Sequence, residues 1–218
     1  MSKMLYRIIK RFFDILFSII LLLILLPLFL LISILIWLTD RGTIFVKDPL
    51  RLGKEQKEFT MYKFRTMIPN AHKEILENRK YSDLKERWEH NGNKLKLDED
   101  IRVTKIGKLL RRTDLDELPQ IFNVIKGDMS IVGPRPMYKD ELDRHIKNNP
   151  NDEIYLTDVF SVRPGITGIW QVSGRNEIKF SERLKMDSKY SKQYNFLFDL
   201  KILFKTPHVV LTRKGAYE

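Results

Sequence analysis

The chain has no cysteine among its 218 residues, so disulfides and thiolate metal sites are excluded. Histidine is scarce as well. His72, His90, His145 and His208 are scattered with no H-x-x-x-H spacing, and a zinc site is not expected. Internal repeats and low-complexity stretches are missing, apart from one apolar run. Acid is the minority charge: 28 Asp and Glu against 39 Lys and Arg leave a formal net charge of +11. Such a deficit favours anionic partners, whether nucleic acid, acidic lipid headgroups or phosphorylated small molecules. The length suits one compact domain plus an appendage.

The appendage is the apolar run. Residues 15–38 carry no charge, and Ser18, Pro27 and Ser33 are the main interruptions. As a straight helix the run covers about 36 Å, enough for a hydrocarbon core of roughly 30 Å. It is too long for a signal peptide and no small-residue cleavage site follows. Lys3, Arg7, Lys10 and Arg11 precede it, while Arg41, Lys47, Arg51 and Lys54 follow. Cations on both sides give the positive-inside rule no preferred orientation. Pro27 removes a backbone donor near the middle, so a kink is expected there, with a neighbouring Ser needed to satisfy freed carbonyls. The residues alone leave two topologies open, a spanning helix and a re-entrant one that bends and returns.

Downstream, residues 43–46 read as a short strand and residues 59–67 as a second. Period-two alternation places Lys63 and Arg65 on one face, Tyr62 and Phe64 on the other. Pattern alone favours a half-buried strand with a solvated cationic side; the alternative is a phosphate-facing edge. The charged segment 70–93 reads as helix with a break near Asn91-Gly92-Asn93 and carries no chemistry. Thr104 caps a short helix that delivers Arg111 and Arg112. Leu115, Leu118, Ile121, Phe122 and Ile125 then recur at helical spacing up to Gly127, a C-terminal stop. Residues 129–132 form a buried strand feeding Gly133-Pro134-Arg135-Pro136, and residues 137–147 a helix. A loop at 163–168, a short strand around Trp170 and a turn at 173–176 come next. Phe196, Leu197, Leu200, Ile202, Leu203 and Phe204 alternate with Asp199, Lys201 and Lys205. That pattern serves core packing or an amphipathic helix in the membrane interface.

Against the cationic background, one acidic pair stands out: Asp116-Glu117, within Arg111-Arg112-Thr113-Asp114-Leu115-Asp116-Glu117-Leu118-Pro119-Gln120. Thr113 with Asp116, or Asp114 with Glu117, has the spacing of a helix capping box. Yet successive helical residues project about 100° apart, so both acids can hardly serve one cap. The other reading is phosphoryl chemistry, which needs a carboxylate nucleophile or metal ligand ringed by guanidinium groups. Arg135 lies between two prolines and Arg175 in a Gly-containing turn. Both are rigid positions from which a guanidinium can grip phosphate bidentately.

Taken together the segments resemble the bacterial sugar transferases, the monotopic phosphoglycosyl transferases. The resemblance rests on Lys10-Arg11-Phe12-Phe13-Asp14, Tyr62-Lys63-Phe64-Arg65-Thr66-Met67 and Leu115-Asp116-Glu117-Leu118-Pro119-Gln120-Ile121-Phe122-Asn123-Val124. Further along come Gly127-Asp128-Met129-Ser130, Val132-Gly133-Pro134-Arg135-Pro136, Arg163-Pro164-Gly165-Ile166-Thr167-Gly168 and Gly174-Arg175-Asn176. The order is the family's and covers most of the chain. It implies an α+β protein: a small mixed α/β catalytic domain over residues 41–218, a helix-break-helix re-entrant membrane helix over 1–40, and interfacial amphipathic helices.

The implied reaction moves sugar-1-phosphate from a UDP-sugar to polyprenyl (undecaprenyl) phosphate and releases UMP. Asp116 would be the nucleophile and carry an aspartyl-phosphosugar, with Glu117 assisting. Asp116 and Glu117 would hold magnesium, an oxygen-ligand role that needs no Cys or His. Lys63, Arg111, Arg135 and Arg175 would contact phosphate. The implied location is the bacterial cytoplasmic membrane, with the catalytic domain on the cytoplasmic face against inner-leaflet lipids and no nucleic-acid partner. Two departures stand out. Asp114 replaces what is more often a small hydroxyl residue, and Leu26 stands where a Ser often precedes the bending proline. The competing classes are a membrane-tethered basic nucleic-acid-binding or adaptor protein, and an inactive scaffold homologue.

Overall fold

One helix of 38 residues dominates the architecture. The computed structural model describes residues 3–47, 50–90, 95 and 97–212. In chain order the elements are α1 (Lys3–Asp40), β1 (Phe45–Lys47), β2 (Arg51–Leu52), β3 (Glu58–Phe59), β4 (Tyr62–Phe64), α2 (Ala71–Glu77), α3 (Ser82–His90) and α4 (Lys105–Arg112). They continue with α5 (Gln120–Lys126), β5 (Ser130–Val132), α6 (Lys139–Asn148), α7 (Leu156–Val159), β6 (Gly165–Thr167), α8 (Phe180–Gln193) and α9 (Phe196–Thr212). The fold is α+β, with many helices around short strand pairs.

The strands are paired locally. β1 runs antiparallel to β4, with Phe45 opposite Phe64 and Val46 opposite Lys63. β2 runs antiparallel to β3. β5 and β6 are parallel, Ser130 facing Gly165 and Val132 facing Thr167. The strand expected around Trp170 is in fact Gly165–Thr167, because its backbone continues the β5 ladder; Trp170 falls in the turn after it. The charged segment also differs from expectation. It breaks at Asn78, whose extended backbone closes α2; the break expected at residues 91–93 lies outside the described residues.

Helix α1 is a single element of 38 residues with Pro27 inside it. Met4–Thr39 is long and apolar enough to cross a membrane. Both of its ends, however, are built into the domain. Near the start, Tyr6 joins Val132, Tyr190, Tyr194 and Ile202 in one buried cluster. Near the end, Phe29, Ile32 and Ile36 join Phe64, Leu110 and Ile121 in another. Each such side chain, once buried, contributes about 1.5–3 kcal/mol. The opposite face stays bare, with Ile8, Phe12, Leu23, Ile24 and Leu38 each more than half exposed. Contiguous apolar surface on that scale marks a membrane or partner face. Ser33 donates to the Phe29 carbonyl at 2.7 Å, not to the Leu23 carbonyl that Pro27 leaves without its helical donor.

Polar contacts fix the first third of α1. Asp199 on α9 accepts from Tyr6 Oη at 2.8 Å, Lys10 Nζ at 2.5 Å and Tyr190 Oη at 2.6 Å. Asp14 accepts from Ser130 Oγ at 2.6 Å. Arg11 donates to the Val124 and Ile125 carbonyls at 2.6 and 3.0 Å, a cation on the last carbonyls of α5, at the negative end of its dipole. That helix stops where expected, at Gly127, whose φ of 104° suits a residue without Cβ. α9 likewise shows two faces. Ile202 and Val209 are buried, while Leu197, Phe204 and Leu211 are 74, 77 and 82% exposed, so the segment both packs and presents an apolar surface.

Candidate active site

The acidic pair sits between α4 and α5, in a 3-10 turn over Leu115–Glu117. The continuous helix expected from residue 115 is interrupted here, and regular helix begins only at Gln120, after Pro119. Neither capping box forms. Asp114 takes a left-handed backbone (φ 56°) and makes no capping bond. Thr113 Oγ1 instead donates back to the Leu109 carbonyl at 2.8 Å. The carboxylates of Asp116 and Glu117 are therefore not spent on a helix end.

What faces them is set by neighbouring elements. Asn123 on α5, fully buried, grips the approach to β4: its Nδ2 donates to Thr60 O at 2.7 Å and its Oδ1 accepts from Tyr62 N at 3.0 Å. Phe64 plugs into the core, and alternation along the strand turns Lys63 the other way. Lys63 Nζ thereby comes 3.2 Å from Glu117 Oε1 and 3.9 Å from Asp116 Oδ2. The cationic side of this strand is not solvated as pattern alone favoured. Lys63 is 19% exposed by side chain and Arg65 only 5% overall.

Arg135 arrives on the loop after β5. Gly133 N donates to Thr167 O at 2.9 Å and Gly165 N to Pro134 O at 2.8 Å, so the loop lies flat on the β6 backbone. A Cβ on Gly165 would fall 2.1 Å from Gly133 N, which only glycine avoids. From there Arg135 Nη2 reaches Glu117 Oε1 at 3.3 Å. Lys63, Arg135, Asp116 and Glu117 are thus brought together. Two other residues stand beside them. Arg175, at φ 51°, pairs with Asp114 at 2.8 Å. Arg111 donates to Thr66 Oγ1 at 2.9 Å, and its charge acts on Asp116. Arg112 does not join; it pairs with Asp98 at 2.8 Å.

The two acids are electrically distinct. Burial raises the Asp116 carboxyl, Lys63 opposes this, and Glu117 adds to it, leaving Asp116 raised to about 6. Burial alone would raise Glu117 too, but Lys63 and Arg135 outweigh it and hold Glu117 well below the usual range. The pair titrates as a unit. Its high-affinity proton site is Asp116, whose ionised form is a basic, poorly solvated carboxylate among cations. Such a group has the chemistry to serve as a nucleophile or a metal ligand. Hard oxygen donors of this kind suit magnesium, which takes one or two carboxylates together with substrate phosphates.

Residues 177–195 offered no site signal, yet they supply a second tier behind Arg135. Arg183 lies over the Trp170 ring at 5.0 Å, and Arg135 over the same ring at 5.5 Å. The only trace in the sequence is the i,i+4 spacing of Arg183 and Asp187.

A family model described as bacterial sugar transferase matches residues 5–213. The chain belongs to the bacterial sugar transferase family. It is 44% identical, over its whole length, to an uncharacterized sugar transferase of Haemophilus influenzae, of which it spans 44%. It is 43% identical, again over its whole length, to the undecaprenyl-phosphate galactose phosphotransferase of Salmonella typhimurium, of which it spans 43%. With the exopolysaccharide production protein ExoY of Sinorhizobium fredii it shares 42% identity over 95% of its residues and 88% of that protein. The chain therefore spans less than half of the first two relatives and most of the third.

Proposed function

We propose that this bacterial sugar transferase chain moves sugar-1-phosphate from a UDP-sugar to polyprenyl phosphate at the cytoplasmic face of the bacterial membrane. One observation carries the reading: a buried, basic Asp116 beside an ion-paired Glu117, with Lys63 and Arg135 within 4 Å and Arg111 and Arg175 around them. The name of the Salmonella relative, an undecaprenyl-phosphate galactose phosphotransferase, agrees with it.

In this mechanism an Asp116 carboxylate oxygen attacks the sugar-bearing phosphorus. The bond from that phosphorus to the bridging oxygen breaks, UMP departs with that oxygen, and the phosphosugar stays on Asp116. A polyprenyl phosphate oxygen then attacks the same phosphorus and the carboxylate is restored. Dividing the transfer keeps two bulky anions from meeting directly. Lys63 stabilises ionised Asp116 before attack, and Arg135 and Arg175 bind the diphosphate oxygens as charge shifts toward UMP. Glu117, held ionised, keeps Lys63 and Arg135 in place. Asp116 and Glu117 would hold magnesium, which would neutralise diphosphate charge.

Topology belongs to the same proposal: α1 enters and leaves one leaflet. Cations flank the apolar run of residues 15–38 on both sides, so both of its ends can stay on one side of the bilayer. The two ends of α1 also dock on the same domain, through Tyr6 and Lys10 at one end and Ile32 and Ile36 at the other. The bare faces of α1 and α9 would then sit in the bilayer, with the site just above the headgroups.

Asp116→Asn tests the chemistry. UMP release from a panel of UDP-sugars with undecaprenyl phosphate is expected to vanish, while membrane association remains and the wild type alone gives a phosphosugar adduct by intact mass. Unimpaired turnover by the variant would remove Asp116 from the mechanism. A salt-dependent gel shift with DNA or RNA, without UMP release, would instead favour the nucleic-acid tether. EDTA is expected to stop turnover and magnesium to restore it. Lys3→Cys and Lys54→Cys should both label from the cytoplasmic side; opposite sides would establish a spanning helix.

A further inference from the structure

Arg183 and Asp187, one turn apart on α8, are 6% and 0% exposed. Their mutual contact is loose, with Arg183 Nε 3.7 Å from Asp187 Oδ2. Among the described residues, neither Asp187 oxygen nor the Arg183 Nε completes a hydrogen bond of good geometry, although the Arg183 guanidinium and the Arg135 backbone N–H both face the carboxylate and favour its charged form. A buried ion pair with long separation and unfilled lone pairs does not offset its own desolvation. Stability alone gives no reason for it.

Its one firm polar contact points toward the active site. Arg183 Nη2 donates to the Arg135 carbonyl at 2.9 Å. The same guanidinium lies 5.2 Å from the Phe180 ring centroid and 5.0 Å from that of Trp170, and Arg135 lies over the same indole at 5.5 Å. Trp170 is therefore shared by two cations, each attracted to the ring face. Arg135 is restrained three ways: by Pro136, which biases its backbone toward extended angles, by the bond to its carbonyl, and by the indole under its side chain. Its free end is the group that meets Glu117.

We propose that Arg183, held by Asp187, is a positioning residue that fixes Arg135 against Glu117 and the donor diphosphate. Arg183 and Asp187 themselves touch no reacting atom. The proposal rests on the functional reading above, because it assigns Arg135 to the diphosphate.

The test is a double-mutant cycle read by UMP release and, separately, by UDP affinity in calorimetry with magnesium present. In the wild-type background, Asp187→Asn is expected to lower kcat/KM about ten- to a hundredfold, the cost of a misplaced active-site group. In an Arg135→Ala background the same change should cost less than about twofold, because residues acting through one another are not additive. A purely structural role would lose activity equally in both backgrounds. Arg183→Lys keeps the buried charge but loses the fork. It should repeat the pattern, and it decides the matter if Asp187→Asn does not fold. Additive losses, or an Arg183→Lys enzyme as active as wild type, would overturn the proposal. If the wild type releases no UMP from any UDP-sugar, the functional reading fails, while the UDP-affinity cycle still decides whether Arg183 and Asp187 act through Arg135.

Discussion

Lys63 Nζ donates to Glu117 Oε1 at 3.2 Å, and the same ammonium stands 3.9 Å from Asp116. One cation therefore serves both acids, but unequally. Glu117 keeps Arg135 if Lys63 is lost, whereas Asp116 loses the largest influence favouring its ionised form. Lys63→Met is expected to cut UMP release about a hundredfold at pH 7, with partial recovery as pH rises and Asp116 ionises. Steady-state rates from pH 6 to 9 check this. Equal loss at every pH would mean that Lys63 acts only on the substrate.

The raised Asp116 sets a second expectation, for the unmutated protein. In the proposed mechanism Asp116 attacks as the carboxylate, so the rate should fall as pH drops through about 6. Stability moves the opposite way. Between about 4 and about 6 the native Asp116 holds a proton that an unfolded carboxyl has already released, so this residue destabilises the fold progressively as pH rises through that window and by a constant amount above it. Asp116→Asn removes the penalty, worth up to about 3 kcal/mol for a shift of this size. The inactive variant should melt higher than wild type at pH 7 and nearly the same at pH 4, measured by thermal unfolding in detergent.

Asp114 holds Arg175 at 2.8 Å, and both residues sit at positive φ. In the proposed mechanism a donor diphosphate competes with that carboxylate for the guanidinium. Asn tolerates the same left-handed backbone, so Asp114→Asn removes the charge without straining the turn. A partly exposed pair of this kind is worth about 0.2–1 kcal/mol, and KM for the UDP-sugar should fall by up to about fivefold with kcat little changed. Arg175→Ala should raise KM instead. A KM unmoved by both variants would take Arg175 out of the binding site.

Much of this arrangement was legible before the fold. The Thr104 cap, the Gly127 stop and the 129–132 strand follow from local chemistry, and each lies where its residues place it. Lys63 and Glu117 are 54 positions apart, and only the family resemblance put them in one site. Local pattern misled where a distant partner decided the outcome. Lys63 and Arg65 resembled a solvated stripe because nothing in the strand announces the acids that the turn between α4 and α5 brings to Lys63, or the Gly42 turn that lies against the Arg65 guanidinium. The strand near Trp170 was misplaced for the same reason: the β5 backbone, some 35 residues earlier, recruits Gly165–Thr167 instead. Arg183 and Asp187 stayed invisible because charged residues on a helix are ordinarily solvated, and their burial is set wholly by tertiary packing.

The tether between α1 and the domain gives the last prediction. Asp199 gathers Tyr6, Lys10 and Tyr190 at 2.5–2.8 Å, joining the start of α1 to α8 and α9. Tyr190 Oη also lies 3.1 Å from Val132 O, an alternative acceptor for its single proton, one residue before the loop that carries Arg135. Asp199→Ala would leave the Tyr6 hydroxyl without its acceptor and Lys10 with only the longer contact to Asp14 at 3.9 Å, while Tyr190 keeps Val132 O, and weakening a largely buried pair this way costs about 3 kcal/mol. Tyr6→Phe removes one donor while Asp199 keeps two partners, at about 1 kcal/mol. Thermal unfolding in detergent should rank wild type above Tyr6→Phe and Tyr6→Phe well above Asp199→Ala. Because the network abuts the Arg135 loop, UMP release should fall in the same order at temperatures where every variant is folded. Equal activity across the three would confine the network to anchoring α1.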